Sequence, residues 1–311
     1  MIPPRAVRLR LCALAALAIG CSGKTKPPPH DDAAPDNAAD PVALAGRFDR
    51  ACAGGELEAC RNLGIMYAEG NGVAPDPARA AALFGKACDG GNLAACNHYA
   101  LALAEGMGGP RQPAQAVAIY QRACDRGYQL ACRNLGMMLR DGRGVAVDLA
   151  RAEGLLDRAC KGGAPFACTN AGDLDAMRSK AGVPRLREMI AHYKRGCDAG
   201  DPTACRQLGV AYLEGHGLPR STTAAAVWLE RACVPDDAVA CRLLGAMTLQ
   251  GVGVAKDPER GRQLLARACD AKDAEACHLL HPDTPPADAG VTADGSAAAP
   301  GDAGPVDGHA P

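Results

Sequence analysis

From Ala59 onward the chain is apolar at Ala59, Leu63, Ile65, Met66 and Tyr67, a helical spacing that predicts a first helix of about twelve residues. Gly70 and Gly72 break the pattern and supply the positive φ that follows a helix C-terminus. Asp76-Pro77 then opens a second helix, with Asp as N-cap and Pro at the first helical position. Its apolar face is Ala80, Leu83, Phe84 and Ala87. After Cys88 comes Asp89-Gly90-Gly91-Asn92, a short turn, and the same pattern begins again.

The pattern recurs along most of the chain. Fourteen of sixteen cysteines form seven Cys-x7-Cys pairs. They are Cys52 with Cys60, Cys88 with Cys96, Cys124 with Cys132, Cys160 with Cys168, Cys197 with Cys205, Cys233 with Cys241, and Cys269 with Cys277. Their first members are spaced 36, 36, 36, 37, 36 and 36 residues apart, a period that marks a solenoid of stacked supersecondary units. Gly64, Gly136, Gly209 and Gly245 stand four residues after a cysteine. A mid-helix Gly costs about 1 kcal/mol, so its repetition there predicts a neighbouring helix crossing too closely for a side chain. Gly70, Gly106, Gly142, Gly215 and Gly251 mark helix ends, and Val73, Val145, Leu218 and Val254 plug the loops that follow. The unit after Cys168 departs: it lacks the Gly-x-Gly-Val loop, carries Arg178 and Lys180 at the glycine positions and is one residue longer. A distorted connection is expected there.

Leu-Gly and Tyr in the first helix, Gly-x-Gly-Val in the loop and Lys-Ala-Cys or Arg-Ala-Cys at the second helix end resemble Sel-one-like repeats, relatives of tetratricopeptide repeats. The cysteines add a resemblance to the Helicobacter cysteine-rich proteins. The resemblance spans 41–281. It implies an all-α, right-handed superhelical solenoid of antiparallel helix pairs with one disulfide per helix hairpin.

Composition agrees with close helix packing. Hydrophobic residues make up 48 %, dominated by small ones, while aromatics reach only 3 %. Net charge is −1, so no basic field favours nucleic acid. Arg5, Arg8 and Arg10 followed by the apolar stretch Leu11–Gly20 read as a signal peptide, 1–20, too short to span a bilayer. The junction Leu17-Ala18-Ile19-Gly20-Cys21 resembles the lipobox of bacterial lipoproteins, although Ala18 stands where that pattern favours Leu. The resemblance implies lipidation at Cys21, and Ser22 after it implies outer-membrane retention, facing the periplasm or the surface. Parity supports this: losing Cys12 with the signal and capping Cys21 leaves fourteen paired thiols. Segments 21–40 and 282–311, rich in Pro, Asp, Ala and Gly, read as a disordered tether and tail.

Cysteines eight apart on one helix lie about 12 Å apart, too far to bond. The glycine-containing turn between them reverses the chain, so each pair is expected to staple the end of a second helix to the start of the next first helix. Each such bridge contributes roughly 2–2.5 kcal/mol in the chain-entropy model. Zinc would want four ligands at closer spacing, and redox work a Cys-x-x-Cys, so neither metal nor cofactor is expected.

The resemblance raises a penicillin-binding or β-lactamase-type hydrolase as an alternative function. The residues do not supply its Ser-x-x-Lys: Ser22, Ser179, Ser221 and Ser296 all lack the lysine. The seven histidines are scattered. A repeated surface is the better candidate. Asn62, His98, Asn134, Asn170 and Gln207 stand two residues after a second cysteine, and Glu69, Glu105, Asp141 and Glu214 follow seven further on. Met66, Met138 and Met247 lie between them. Stacked first helices would align these as polar, thioether and acidic stripes. By resemblance to tetratricopeptide proteins, such stripes line a concave groove that binds a protein, peptide or cell-wall ligand. A solvated helix face is the other reading, as in a structural surface antigen.

Overall fold

The computed structural model describes residues 40–234 and 237–281. The expected signal peptide, Cys21, the tether up to residue 39 and the tail from 282 lie outside the described residues. Within them the chain forms fourteen α-helices. The first helix of the array, α1, is Pro41–Ala53. The helices that follow a bridging turn are α2 (Leu57–Glu69), α4 (Leu93–Glu105), α6 (Gln129–Asp141), α8 (Ala167–Lys180), α10 (Pro202–Glu214), α12 (Ala238–Gln250) and α14 (Ala274–Leu280). Those that follow a loop are α3 (Pro77–Asp89), α5 (Pro113–Asp125), α7 (Leu149–Lys161), α9 (Leu186–Asp198), α11 (Thr222–Cys233) and α13 (Pro258–Asp270). Each helix packs mainly on its sequence neighbours, with further contacts between successive first helices. That is the solenoid the period predicts.

The predicted punctuation is present. Asp76, Asp148 and Asp257 each accept a bond from the backbone N–H three residues on, at 2.9–3.0 Å, capping their helix N-termini. Gly70, Gly106, Gly142, Gly215 and Gly251 all end first helices in the left-handed region, φ 68–78°. The glycines inside first helices meet the next helix as expected. A Cβ on Gly64 would lie 2.7 Å from the Phe84 ring, on Gly136 2.9 Å from Leu156, and on Gly209 2.7 Å from Leu229.

All seven cysteine pairs are bridged, with Cα–Cα separations of 4.4–4.7 Å. The bridge from Cys52 to Cys60 ties α1 to α2, and that from Cys88 to Cys96 ties α3 to α4. Cys124 to Cys132 joins α5 to α6, and Cys160 to Cys168 joins α7 to α8. Cys197 to Cys205 links α9 to α10, Cys233 to Cys241 links α11 to α12, and Cys269 to Cys277 links α13 to α14. Every bridge therefore crosses a short turn between helices and none lies within one helix. The alanine before the second cysteine of each pair, from Ala59 through Ala276, is at most 2 % exposed. Methyl-sized residues at these crossings let backbones approach closely enough to fill the interior without aromatics.

Cations two residues before the first cysteine add a second tie. Lys86 Nζ donates to the Cys52 carbonyl at 2.9 Å, Arg158 to that of Cys124 at 3.0 Å and Arg231 to that of Cys197 at 3.2 Å. Each holds the open carbonyl end of the preceding second helix, where a positive charge also meets the helix dipole. The Lys/Arg-Ala-Cys signature therefore joins repeats twice within three residues.

Candidate functional site

The first helices share one solvent-facing side, ordered by position after the second cysteine. Five residues on stand Ile65, Leu101, Met137, Val210 and Ala246, half-exposed or, at Leu101, 40 % exposed. This aliphatic stripe is the surface feature that sequence reasoning misplaced. The expected thioether stripe of Met66, Met138 and Met247 turns inward and is buried. One residue rotates a side chain by about 100°, enough to exchange surface for core.

The polar column proves partly committed to neighbours. Asn134 donates to Asn97 Oδ1 at 2.8 Å, and Asn170 accepts from Arg133 Nε at 2.7 Å. His98 stacks on the Phe84 ring with centroids 4.9 Å apart, and burial lowers its pKa below the ordinary value. Asn62 and Gln207 remain half-exposed. In the acidic column Glu69 is exposed, Glu105 accepts from Arg143, Asp141 pairs with Arg140 at 2.6 Å and Glu214 with His216 at 2.9 Å.

An unforeseen column stands one residue after the second cysteine. Arg206 Nε donates to Asp237 at 3.0 Å and Arg242 Nε to Asp273 at 3.1 Å. Each aspartate is the N-cap of the next first helix and accepts its backbone N–H as well. Thr169 donates to Asp201 in the same way. The signal was in the sequence: Arg61, Arg133, Arg206 and Arg242 recur at one phase.

The face changes character at α8. Asp173 stands where the other repeats carry an aliphatic residue. It borders a recess of about 440 Å³ among α8, α9 and α10, together with Met177, Lys180, Tyr193, Gln207 and Glu214. Tyr193 donates its hydroxyl to Asp173 at 2.8 Å. Burial raises the Asp173 pKa, against the Tyr193 bond, and burial together with the Asp173 charge raises that of Tyr193. Two predicted groove residues, Gln207 and Glu214, thus meet in one place. The others spread along the array.

Behind the recess lies a cluster of charges. Asp175, 1 % exposed, accepts from His192 Nδ1 at 2.8 Å and lies 3.6 Å from Arg185 Nε. His192 Nε2 sits 3.4 Å from Asp157, which pairs with Lys161 at 2.6 Å. Arg178 and Arg185 both pair with Glu153 of α7. The Asp175 bond raises the His192 pKa above the ordinary value, against burial.

The geometry gives the hydrolase reading no support. Ser179 Oγ accepts the Arg185 N–H at 3.1 Å and Ser221 Oγ caps α11 through the Ala224 N–H at 3.2 Å. Among the described residues no group of three or more His, Cys, Asp or Glu could hold a metal ion. Nor is any described helix long and apolar enough to cross a membrane.

The Sel1 repeat family model matches residues 57–92, 93–128, 129–163, 202–233 and 238–273. The chain belongs to the Sel1 repeat family. The matches leave 164–201 uncovered, the interval that carries Asp173, Asp175, Lys180, Arg185, His192 and Tyr193. This Sel1 repeat protein is similar to a solved Sel1 repeat protein from Oxalobacter formigenes, 29 % identical, covering 78 % of this chain and 70 % of that one, TM-score 0.67. It is also similar to a protective antigen of uropathogenic Escherichia coli, 28 % identical over 76 % of this chain, TM-score 0.66. The match spans 50 % of that antigen's length. Cysteine-rich protein B of Helicobacter pylori matches 43 % of this chain and 96 % of its own at 24 % identity, TM-score 0.36. No curated protein sequence matches. Seven disulfides in this Sel1 repeat array suggest an oxidising, extracytoplasmic location.

Proposed function

We propose that this Sel1 repeat protein is an exported, lipid-anchored scaffold that holds a protein, peptide or cell-wall ligand along its first-helix face. The observation that carries this reading is the solvent-facing aliphatic stripe of Ile65, Leu101, Met137 and Val210, edged by Asn62, Gln207 and the acidic column. Repeat arrays use such extended faces for binding. A tether at Cys21 would keep the array beside a membrane, since the multiple acyl chains of a lipoprotein anchor stably.

A photoreactive residue placed at Leu101 or Gln207 should crosslink one discrete partner in the cell envelope. The same residue at Val227, 61 % exposed on α11, should not. Equal crosslinking from all three positions would remove the scaffold reading. Fatty-acid labelling of the intact protein should vanish in Cys21→Ala; retained label would remove the anchor. The likeness to the Escherichia coli antigen favours a second reading, a surface antigen without a fixed partner. Antibody access on intact cells together with no crosslink from Leu101 or Gln207 would favour it.

A further inference from the structure

The recess at α8 differs from the rest of the face in chemistry as well as shape. Position five after the second cysteine is Ile65, Leu101, Met137, Val210 or Ala246 elsewhere; here it is Asp173. A carboxylate set among apolar neighbours loses hydration and gains from any cation that reaches it. The nearby guanidinium groups are engaged: Arg140 pairs with Asp141 at 2.6 Å and Arg206 with Asp237 at 3.0 Å. Asp173 holds one bond, from Tyr193, leaving acceptor capacity towards the recess. Lys180, on the same helix and the same rim, is exposed.

Asp173 and Lys180 are seven residues apart on α8, about 10 Å along the axis and close to one face. An extended peptide advances about 3.5 Å per residue, so two to three residues span that interval. Between the two charges the wall is Ala176, Met177, Val210 and Ala211, with Met177 41 % exposed. Such a wall suits small aliphatic side chains. The Gln207 amide, across on α10, can pair with a peptide backbone group.

We propose that this recess binds a short zwitterionic peptide of two or three small residues, its ammonium on Asp173 and its carboxylate on Lys180. The proposal rests on the scaffold reading and names a ligand class for one point on that face. It is confined to the irregular repeat, because only there does the first helix run on into a lysine instead of ending at a left-handed glycine.

Calorimetry with the purified protein and trialanine tests it. Trialanine should bind, and N-acetyl-trialanine and trialanine amide should each bind at least about tenfold more weakly, as loss of one charge contact implies. Lys180→Met should weaken trialanine about tenfold while leaving the amide unchanged; Asp173→Asn should do the converse with the acetylated peptide. Lys180 is exposed, so its variant folds, and the blocked peptides test the idea on the unaltered protein. Equal binding of free and blocked peptides, or no trialanine binding at millimolar concentration, overturns the proposal. If Gln207 still crosslinks an envelope partner in that case, the ligand class fails and the scaffold reading stands. Loss of both removes both.

Discussion

The pair α6–α7 and the pair α8–α9 occupy neighbouring places in one array yet close their interiors by different means. In α6–α7 the fit is steric: Leu156 fills the space left by Gly136, and Leu139 is 1 % exposed. In α8–α9 the same crossing survives, with Gly172 receiving the Tyr193 ring. The residue equivalent to Leu139, however, is Asp175, equally buried and held by His192 and Arg185. The loop differs too. Gly142 ends α6 in the left-handed region, whereas α8 runs on through Arg178, which pairs with Glu153. The lesson is that bridge, alanine crossing and helix order define the repeat, while the space between the helices can be filled with aliphatic shape or with balanced charge.

Exchanging the two solutions should break the comparison most sharply. Leu139→Asp puts a carboxylate into a site without a cation and should cost more than about 4 kcal/mol, read from urea unfolding. A milder loss would mean that the regular interior admits water. Asp175→Ala should cost about 3 kcal/mol, because Arg185 and His192 lose their buried partner; a neutral result would show that the cluster is dispensable. Gly136→Ala and Gly172→Ala should each lose about 1–3 kcal/mol through overpacking. Their Cβ atoms would stand 2.9 Å from Leu156 and 2.5 Å from the Tyr193 ring. Similar losses by thermal melting would establish the glycine crossing as common to both repeats.

The smallest effect should separate the two repeats by pH. The Asp175 bond raises the folded pKa of His192. A group raised on folding stabilises fully below its unfolded pKa, about 6.5 for His. That contribution is lost as pH rises through the higher folded value. Amide exchange in α9 should therefore quicken as pH rises from about 6.5 through the raised folded value, while α7 amides, apart from those beside Asp157, stay level once intrinsic exchange is corrected. His192→Gln should flatten the α9 profile; an unchanged profile would detach the pH effect from this histidine.

Most of the frame was legible because it depends on residues with few conformational options. Gly70 and its equivalents need positive φ, Asp76 needs a backbone N–H to cap, and paired cysteines must meet. The functional face was less legible. Met66 and Ile65 are adjacent and equally apolar, and only packing decides which faces water. Asn134 and Asn170 read as free amides until Asn97 and Arg133 arrive from neighbouring helices. Asp173 and Asp175 carry no sequence signal of their own, since their phase matters only once each is laid against Met137 and Leu139 of the preceding repeat.

The position of the bridges also divides the chain's connections into two kinds. A backbone cut in a turn between paired cysteines, such as 53–59, leaves the two fragments joined through sulfur. A cut in a loop between first and second helix, such as 70–76, crosses no bridge and releases two pieces held by packing alone. Covalent integrity therefore alternates along the array, with every other connection protected against a protease and the intervening ones dependent on the folded fit of their neighbours.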